Sequence, residues 1–498
     1  MYFLGVESGE TMTQAIVVDL DSGCLLASAS CAHQVFESLL DQNRRNQSEV
    51  WIQSLDQAVH DCLGSLGSAR DDVVAMSVVS QAKDMVLLDQ NQQVLTPHDS
   101  DEKKTAAGAL KDLESQFGGA NGLSAHTGNR IDLNSAATRL LATKRADPDY
   151  FNQIESVMFP REFLAYWLTG HRGAEVGEVS EFGFLHVAQR AYSDELLQSI
   201  DDRLKDWLSA LMDPEETHLA VLRKEIAESW GLSREIRVAL GSGSAMTRSL
   251  SLGVDLPGTA ILDFRSAGSI WGLADSPVLD ARGEANLWCA TEGRWMSHFN
   301  QQKAVATLEM LRTHYGWSGL EMEQAAASAS LGGEGLLFVP LGYGSRQGNE
   351  EGVFHGITTR NFKPRNVARA TLEGIAIALS FGFHRMIELG LEYQQIRIAG
   401  RGAKSAFWRQ LISDVTGVPA CRFLNDEGPA MGAVFHAAVS YFREMGQYIS
   451  YSELTKRLIL LDDESFCDPR AERYDYYLEK LSRQQYLVET LVGTGFLD

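Results

Sequence analysis

Six cysteines in 498 residues (Cys24, Cys31, Cys62, Cys289, Cys421 and Cys467) form no CxxC and no paired spacing. That argues against a zinc site and against a disulfide framework. Basic residues are also in short supply, with 44 Lys and Arg against 66 Asp and Glu. The resulting net charge of −22 argues against nucleic acid or an anionic membrane as the main partner. No apolar run reaches the length that spans a bilayer. No basic stretch precedes an apolar one at the start, so no signal peptide and a cytoplasmic location are the expectation. What remains, 44% apolar and 22% charged, is an ordinary globular composition. At this length two large domains are the natural expectation.

What is present begins with a repeat. Phe3-Leu4-Gly5-Val6-Glu7-Ser8-Gly9-Glu10-Thr11 leads into the apolar Ala15–Val18, and Ala260–Gly268 leads into Ser269-Ile270-Trp271. Each reads as strand, small-residue turn, strand. A facing pair of such turns can hold a nucleotide's phosphates on backbone N–H groups. Yet one turn carries an acid, Glu10, and the other a bulky base, Arg265.

Between the repeats the pattern alternates. Strands are expected at 2–7, 14–20 and 24–32, with Asp21-Ser22-Gly23 as a hairpin turn. Residues 50–66 have helical spacing, with Trp51, Leu55, Val59 and Leu63 on one face. Strands follow at 72–80 and 84–89, and helices at 105–117, 134–145 and 161–168, the last stopped by Gly170. Ile236–Leu240 reads as a buried strand entering the glycine turn Gly241-Ser242-Gly243, and the domain boundary is expected just before it, giving domains of 1–236 and 237–498. The second domain then shows strands at 259–264, 269–274 and 395–399, and helices at 366–389, 405–416 and 428–442.

These residues resemble the FGGY family of carbohydrate kinases, in its xylulokinase-like branch. Gly352-Val353-Phe354-His355-Gly356-Ile357 and Ala368–Ala376 are similar to the family's GVFFGL and ARAVLEGVAFAL stretches. Ile396–Ser405 with Trp408-Arg409-Gln410 resembles its GGGAKS…WRQ nucleotide segment, and Glu427–Ala433 its EEGAALGAA element. Thr127-Gly128-Asn129-Arg130, Pro160–Leu164 and Leu168-Thr169-Gly170 fit as well, all in family order. The resemblance implies an α/β fold of two actin-like (ribonuclease H-like) domains closing, across an interdomain cleft, on a sugar and ATP. Family members move the γ-phosphate of ATP to a sugar hydroxyl, which needs a base, Mg²⁺ with backbone donors on the phosphates, and a sugar pocket.

Each requirement meets a departure. The base is an Asp in the family's GGGDNAA turn; the matching position here is Ser244, and no Asp or Glu lies between Ile236 and Val254. A hydroxyl does not accept a proton at neutral pH as a carboxylate does, and losing a general base costs on the order of 10²–10⁴ in rate. The family's DLGT turn is here Glu7, Ser8, Gly9, Glu10, with Thr11 following; Glu7 is the residue left to serve a hydrated Mg²⁺. Glu10 would repel a phosphate by roughly 4 kcal/mol at ~4 Å and an effective dielectric of about 20. The family's GTSG turn is here Arg265, Ser266, Ala267, Gly268, and the two mismatches suggest a Glu10–Arg265 charge pair in the γ-phosphate position.

On the nucleotide side, Gly400, Gly402, Ala403 and Lys404 form a helix-entry turn, with Arg401 in place of a glycine, and Gly432 lies in the small-residue helix that follows. On the sugar side, the family's Met-His-Gly and Trp-Asn-Asp segments are here Gln81-Ala82-Lys83 and His98–Lys103. Gln81, Lys83, Asp101 and Lys103 are the candidate substrate residues, and the lysines suit an anionic ligand. Three readings stay open. One is a kinase-derived protein that has lost phosphoryl transfer and binds a sugar-like or acidic metabolite or a protein partner, with ATP and Mg²⁺ weak or absent. Another is a working ketose kinase with a rearranged base, Glu178 or Asp101. The last is a different enzyme acting on an acidic sugar derivative. A homodimer is expected only by analogy.

Overall fold

The computed structural model describes residues 1–33, 47–81, 84–95, 102–212, 219–265, 268–301, 303–340 and 352–496, without the side chains of 102–104. It divides into two compact units. The first comprises 1–255, 287–295 and 427–459; the second comprises 256–286, 296–426 and 460–498.

The first unit is built on a sheet of β1 (Tyr2–Ser8), β2 (Met12–Asp19), β3 (Cys24–Ala32), β4 (Val73–Ser80), β5 (Leu219–Val221) and β6 (Arg237–Ala239), in the order β3-β2-β1-β4-β6-β5. The hairpin strands β1, β2 and β3 run antiparallel, and β1, β4 and β6 run parallel. Near-continuous apolar runs make β1 and β4 central, since both faces are covered. On one face lies the Gln47–Leu66 helix, which buries Trp51, Leu55, Val59 and Leu63 as its periodicity predicts. On the other lies the Pro429–Glu444 helix. A Cβ on Gly5 would stand 2.0 Å from the Ala430 carbonyl oxygen, so only glycine lets helix and strand approach. A helical region between β4 and β5 carries its own core around Leu113, Phe151, Phe159 and Phe184.

The second unit repeats the plan. β7 (Gly258–Phe264) runs antiparallel to β8 (Gly268–Ala274) and parallel to β10 (Tyr393–Gly400), which is parallel to β11 (Ala420–Arg422). With β9 (Trp295–Gln301) the order is β9-β8-β7-β10-β11. The Pro364–Glu388 helix is buried over most of its length, and Leu372, Ile375 and Leu379 join the core under this sheet. Among the described residues no helix is long and apolar enough to cross a membrane.

The boundary differs from the expected one. The break falls after Asp255, not before 237. Strand β6 pairs with β4, and the Ser244–Ser251 helix packs on the Pro429–Glu444 helix, so both elements complete the first unit. The same contacts draw 427–459 into that unit, although the sequence suggested the nucleotide half.

Candidate active site

In the first unit the C-terminal ends of the parallel strands β1, β4 and β6 lie side by side. From them project Glu7, Gln81 and the 240–244 turn, the end of such a sheet where ligands bind. Glu7 is buried, and Gln81 donates its side-chain N–H to Glu7 Oε1. Gly428, in the left-handed region at φ 72°, passes over this carboxylate: a Cβ there would stand 3.0 Å from Glu7 Oε2. Gly9 turns the hairpin by donating its N–H to the Met12 carbonyl at 2.9 Å. Glu10 and Thr11 are exposed at the tip.

Ser244 opens the Ser244–Ser251 helix, at the position expected for the base. Its hydroxyl donates to Glu181 Oε2 at 2.8 Å, and Ala245 N–H donates to Glu181 Oε1 at 3.0 Å. The preceding turn is held in the same manner. Glu175 Oε2 accepts from Gly243 N–H at 2.9 Å and the Ser242 hydroxyl at 3.3 Å. Glu175 also caps its own helix, Val176–Phe182, by accepting from the N–H groups of Gly177 and Glu178. Two carboxylates therefore sit on the N-terminal N–H groups of the Ser244–Ser251 helix, where the helix dipole favours negative charge. Sequence reasoning missed both. The signal was the three-residue spacing of Glu175, Glu178 and Glu181, which places three acids along one side of a short helix.

Glu178, considered as a replacement base, is taken up in structure. It is only 4% exposed, and its oxygens accept from Arg161 N–H at 2.9 Å and Arg161 Nε at 2.8 Å. Burial pushes its carboxyl upward against the pull of Arg161. Arg161 in turn donates to the carbonyls of Leu240 and Gly173, so the pair fastens the end of β6 and with it the 240–244 turn.

Gly432 is likewise structural. A Cβ on it would meet the Thr247 carbonyl oxygen at 2.0 Å, so its absence lets the Pro429–Glu444 and Ser244–Ser251 helices touch backbone to backbone. Gly432, expected from the sequence to lie by the nucleotide, is buried within the first unit.

In the second unit the β7–β8 turn carries Arg265, whose Nε pairs with Asp263 Oδ2 at 3.1 Å. Glu10 belongs to the other unit. Gly268 is a packing glycine, since a Cβ would stand 2.8 Å from Leu379 Cδ2. Gly400 turns at φ 77° beside the Phe264 carbonyl oxygen, 2.5 Å from where a Cβ would sit. From it the chain runs through the Arg401–Lys404 turn into the Ala406–Thr416 helix, capped by Ser405 on Trp408 N–H at 3.0 Å. Arg401 and Lys404 are exposed there, Ala403 is buried, and Gly402 lies against Trp408. Arg265 and the Gly400–Lys404 turn thus come together at one end of this sheet, through the register of β7 with β10. Lys83, Asp101, Ser266 and the Lys103 side chain lie outside the described residues.

Known proteins share this architecture across the whole chain. Residues 2–250 match the N-terminal domain, and 280–441 the C-terminal domain, of the FGGY family of carbohydrate kinases. The xylulose kinase of Haemophilus influenzae is 25% identical over 97% of this chain and 99% of its own length, and that of Escherichia coli K12 is 29% identical over 89% and 90%. A crystal structure of a xyloylose kinase from Brucella ovis superposes with a TM-score of 0.85 at 20% identity, over 99% of this chain and 100% of that one. The two mixed sheets are accordingly the two actin-like domains of that fold. With both family domains matched in order, and relatives aligned nearly end to end, this chain belongs to the FGGY family of carbohydrate kinases.

Proposed function

We propose that this FGGY protein binds a small sugar-like or acidic metabolite and does not transfer a phosphoryl group. One observation carries the reading: the family's base position holds Ser244, whose hydroxyl acts as a donor to Glu181. Glu181 spends its two oxygens on Ser244 and on Ala245 N–H, and Glu175 spends its own on Gly177, Glu178, Ser242 and Gly243. Both carboxylates are thus occupied as acceptors of the N–H and O–H groups around the turn.

The residues do not fit the family's Mg²⁺ and ATP. Glu7, the carboxylate available to a hydrated Mg²⁺, already accepts from Gln81, and the hairpin tip that would meet phosphate carries the exposed charge of Glu10. A protein partner or a second copy of the chain remains compatible with a scaffold that acts by binding.

A second reading has one specific observation in its favour. Glu181 puts a carboxylate 2.8 Å from Ser244 Oγ, so an acid lost from one helix has a neighbour on another. Thermal shift separates the two. A ligand that binds the folded state raises the melting temperature by mass action. Millimolar MgATP is expected to leave it unchanged, whereas a neutral or acidic sugar is expected to raise it. A MgATP shift in the native chain, with sugar-dependent ADP release abolished by Glu181→Gln, would instead establish a kinase using Glu181 as its base.

A further inference from the structure

The first unit contains a cavity of about 510 Å³ that neither reading uses. Its wall includes Glu175, Gly241 and Ser242, the back of the base-position turn. The Pro429–Glu444 helix contributes His436, Ser440 and Arg443, spaced four and three residues apart and therefore on one helical face. Arg190 lines the cavity as well.

The charges around this space do not cancel. Glu175 keeps its charge but is turned onto four neutral donors, and Glu292 at the rim pairs with Arg294 at 2.7 Å. Arg190 is fixed by two carbonyls, donating to Arg294 O at 2.8 Å and Ala290 O at 3.0 Å, and its guanidinium lies 5.4 Å from the Trp295 ring centre. Carbonyls orient a guanidinium without neutralising it. Arg443 is exposed at the end of its helix and makes no ion pair among the described residues. Arg190, Arg443 and the Arg294 paired at the rim, three cations, set against Glu175 and Glu292, two anions, leave one net positive charge around the cavity in a chain of net charge −22. The floor adds no opposing charge. His436 is buried, its Nδ1 lies 2.8 Å from the Tyr451 hydroxyl, and burial holds the ring neutral.

We propose that this cavity binds a small organic anion, a phosphorylated or carboxylated molecule of sugar size, with Arg443 and Arg190 on its charged group. Planar guanidiniums match both anions in geometry. Ser242 and Glu175 belong both to this wall and to the turn that carries Ser244, so occupancy of the cavity bears directly on the base-position turn. The proposal stands whether or not the protein transfers phosphate.

The test is isothermal titration of the full chain with inorganic phosphate, a pentose 5-phosphate and gluconate at matched ionic strength. It is repeated on Arg443→Gln, whose exposed side chain can change without disturbing the core, and on Ser440→Trp, which fills the space. Saturable binding of a sugar phosphate or gluconate is expected. It should weaken about tenfold in Arg443→Gln, the loss of one charge-assisted contact, and vanish in Ser440→Trp. Preference between the two probes identifies phosphate or carboxylate as the recognised group. A neutral pentulose should bind the native and Arg443→Gln proteins alike. Absence of saturable binding, or equal affinity in native protein and both variants, would overturn the assignment.

Discussion

Ser244 and Glu181 share one proton, a single hydrogen bond in which the hydroxyl is the donor. Restoring the family's acid with Ser244→Asp would put two carboxylates in contact, and Glu175 stands close behind. Like charges at ~4 Å cost up to about 4 kcal/mol at an effective dielectric of 20. The variant should therefore lose on the order of 2–4 kcal/mol in urea denaturation and gain no turnover, and adding Glu181→Gln should recover most of the loss. Equal stability of Ser244→Asp and the native chain would show that the carboxylates do not face each other. Glu178 supports a second prediction. Truncation to Ala strands Arg161 in the core, and breaking one side of a buried pair costs about 3–5 kcal/mol. His436 supports a third, in pH. Its folded value lies near 3, against about 6.5 in the unfolded chain. Above about pH 6.5 the ring is neutral in both states and contributes nothing. As pH falls below that value the unfolded chain takes up a proton the folded one refuses, and stability declines by up to about 1.4 kcal/mol per pH unit. Denaturation curves at pH 6.5 and 5 should show a shallower decline for His436→Gln than for the native protein.

At the scale of elements, the site rests on two helices that meet through a glycine. Gly432→Ala sets a methyl against the Thr247 carbonyl oxygen and should destabilise by about 3 kcal/mol, the upper end of ordinary overpacking, as read by thermal or urea unfolding. Gly64→Ala, where nothing lies within 4 Å, serves as the control and should be neutral or slightly stabilising, because alanine is the better helix former. What could be read from sequence follows the range of the forces involved. The hairpins of both sheets and the Gln47–Leu66 helix are legible, since alternation, turn glycines and the Trp51-Leu55-Val59-Leu63 stripe are local signals. The membership of β6 and of the Pro429–Glu444 helix is not, because each is fixed by partners far along the chain. Ser244 was read in the sequence at the position where the family's turn has an acid. Glu175 and Glu181 were not legible as its neighbours, because the spacing of the acids marks a helix face but not the N–H groups, more than 60 residues along the chain, that they meet.

At the scale of the whole molecule, two sheets of the same plan are preserved along a chain that aligns with xylulose kinases over nearly its full length. Glycines at Gly5, Gly268 and Gly400 permit close approach within each core. On the proposed reading, the positions where the family's motifs handle a phosphoryl group carry Ser244, Glu10 and Arg265. Sugar-dependent ADP release by the native protein, with D-xylulose and MgATP in a coupled assay, tests this most directly. The account predicts no rate above the sugar-free background. A turnover within the ordinary range of kinases, about 1–100 per second, would contradict it.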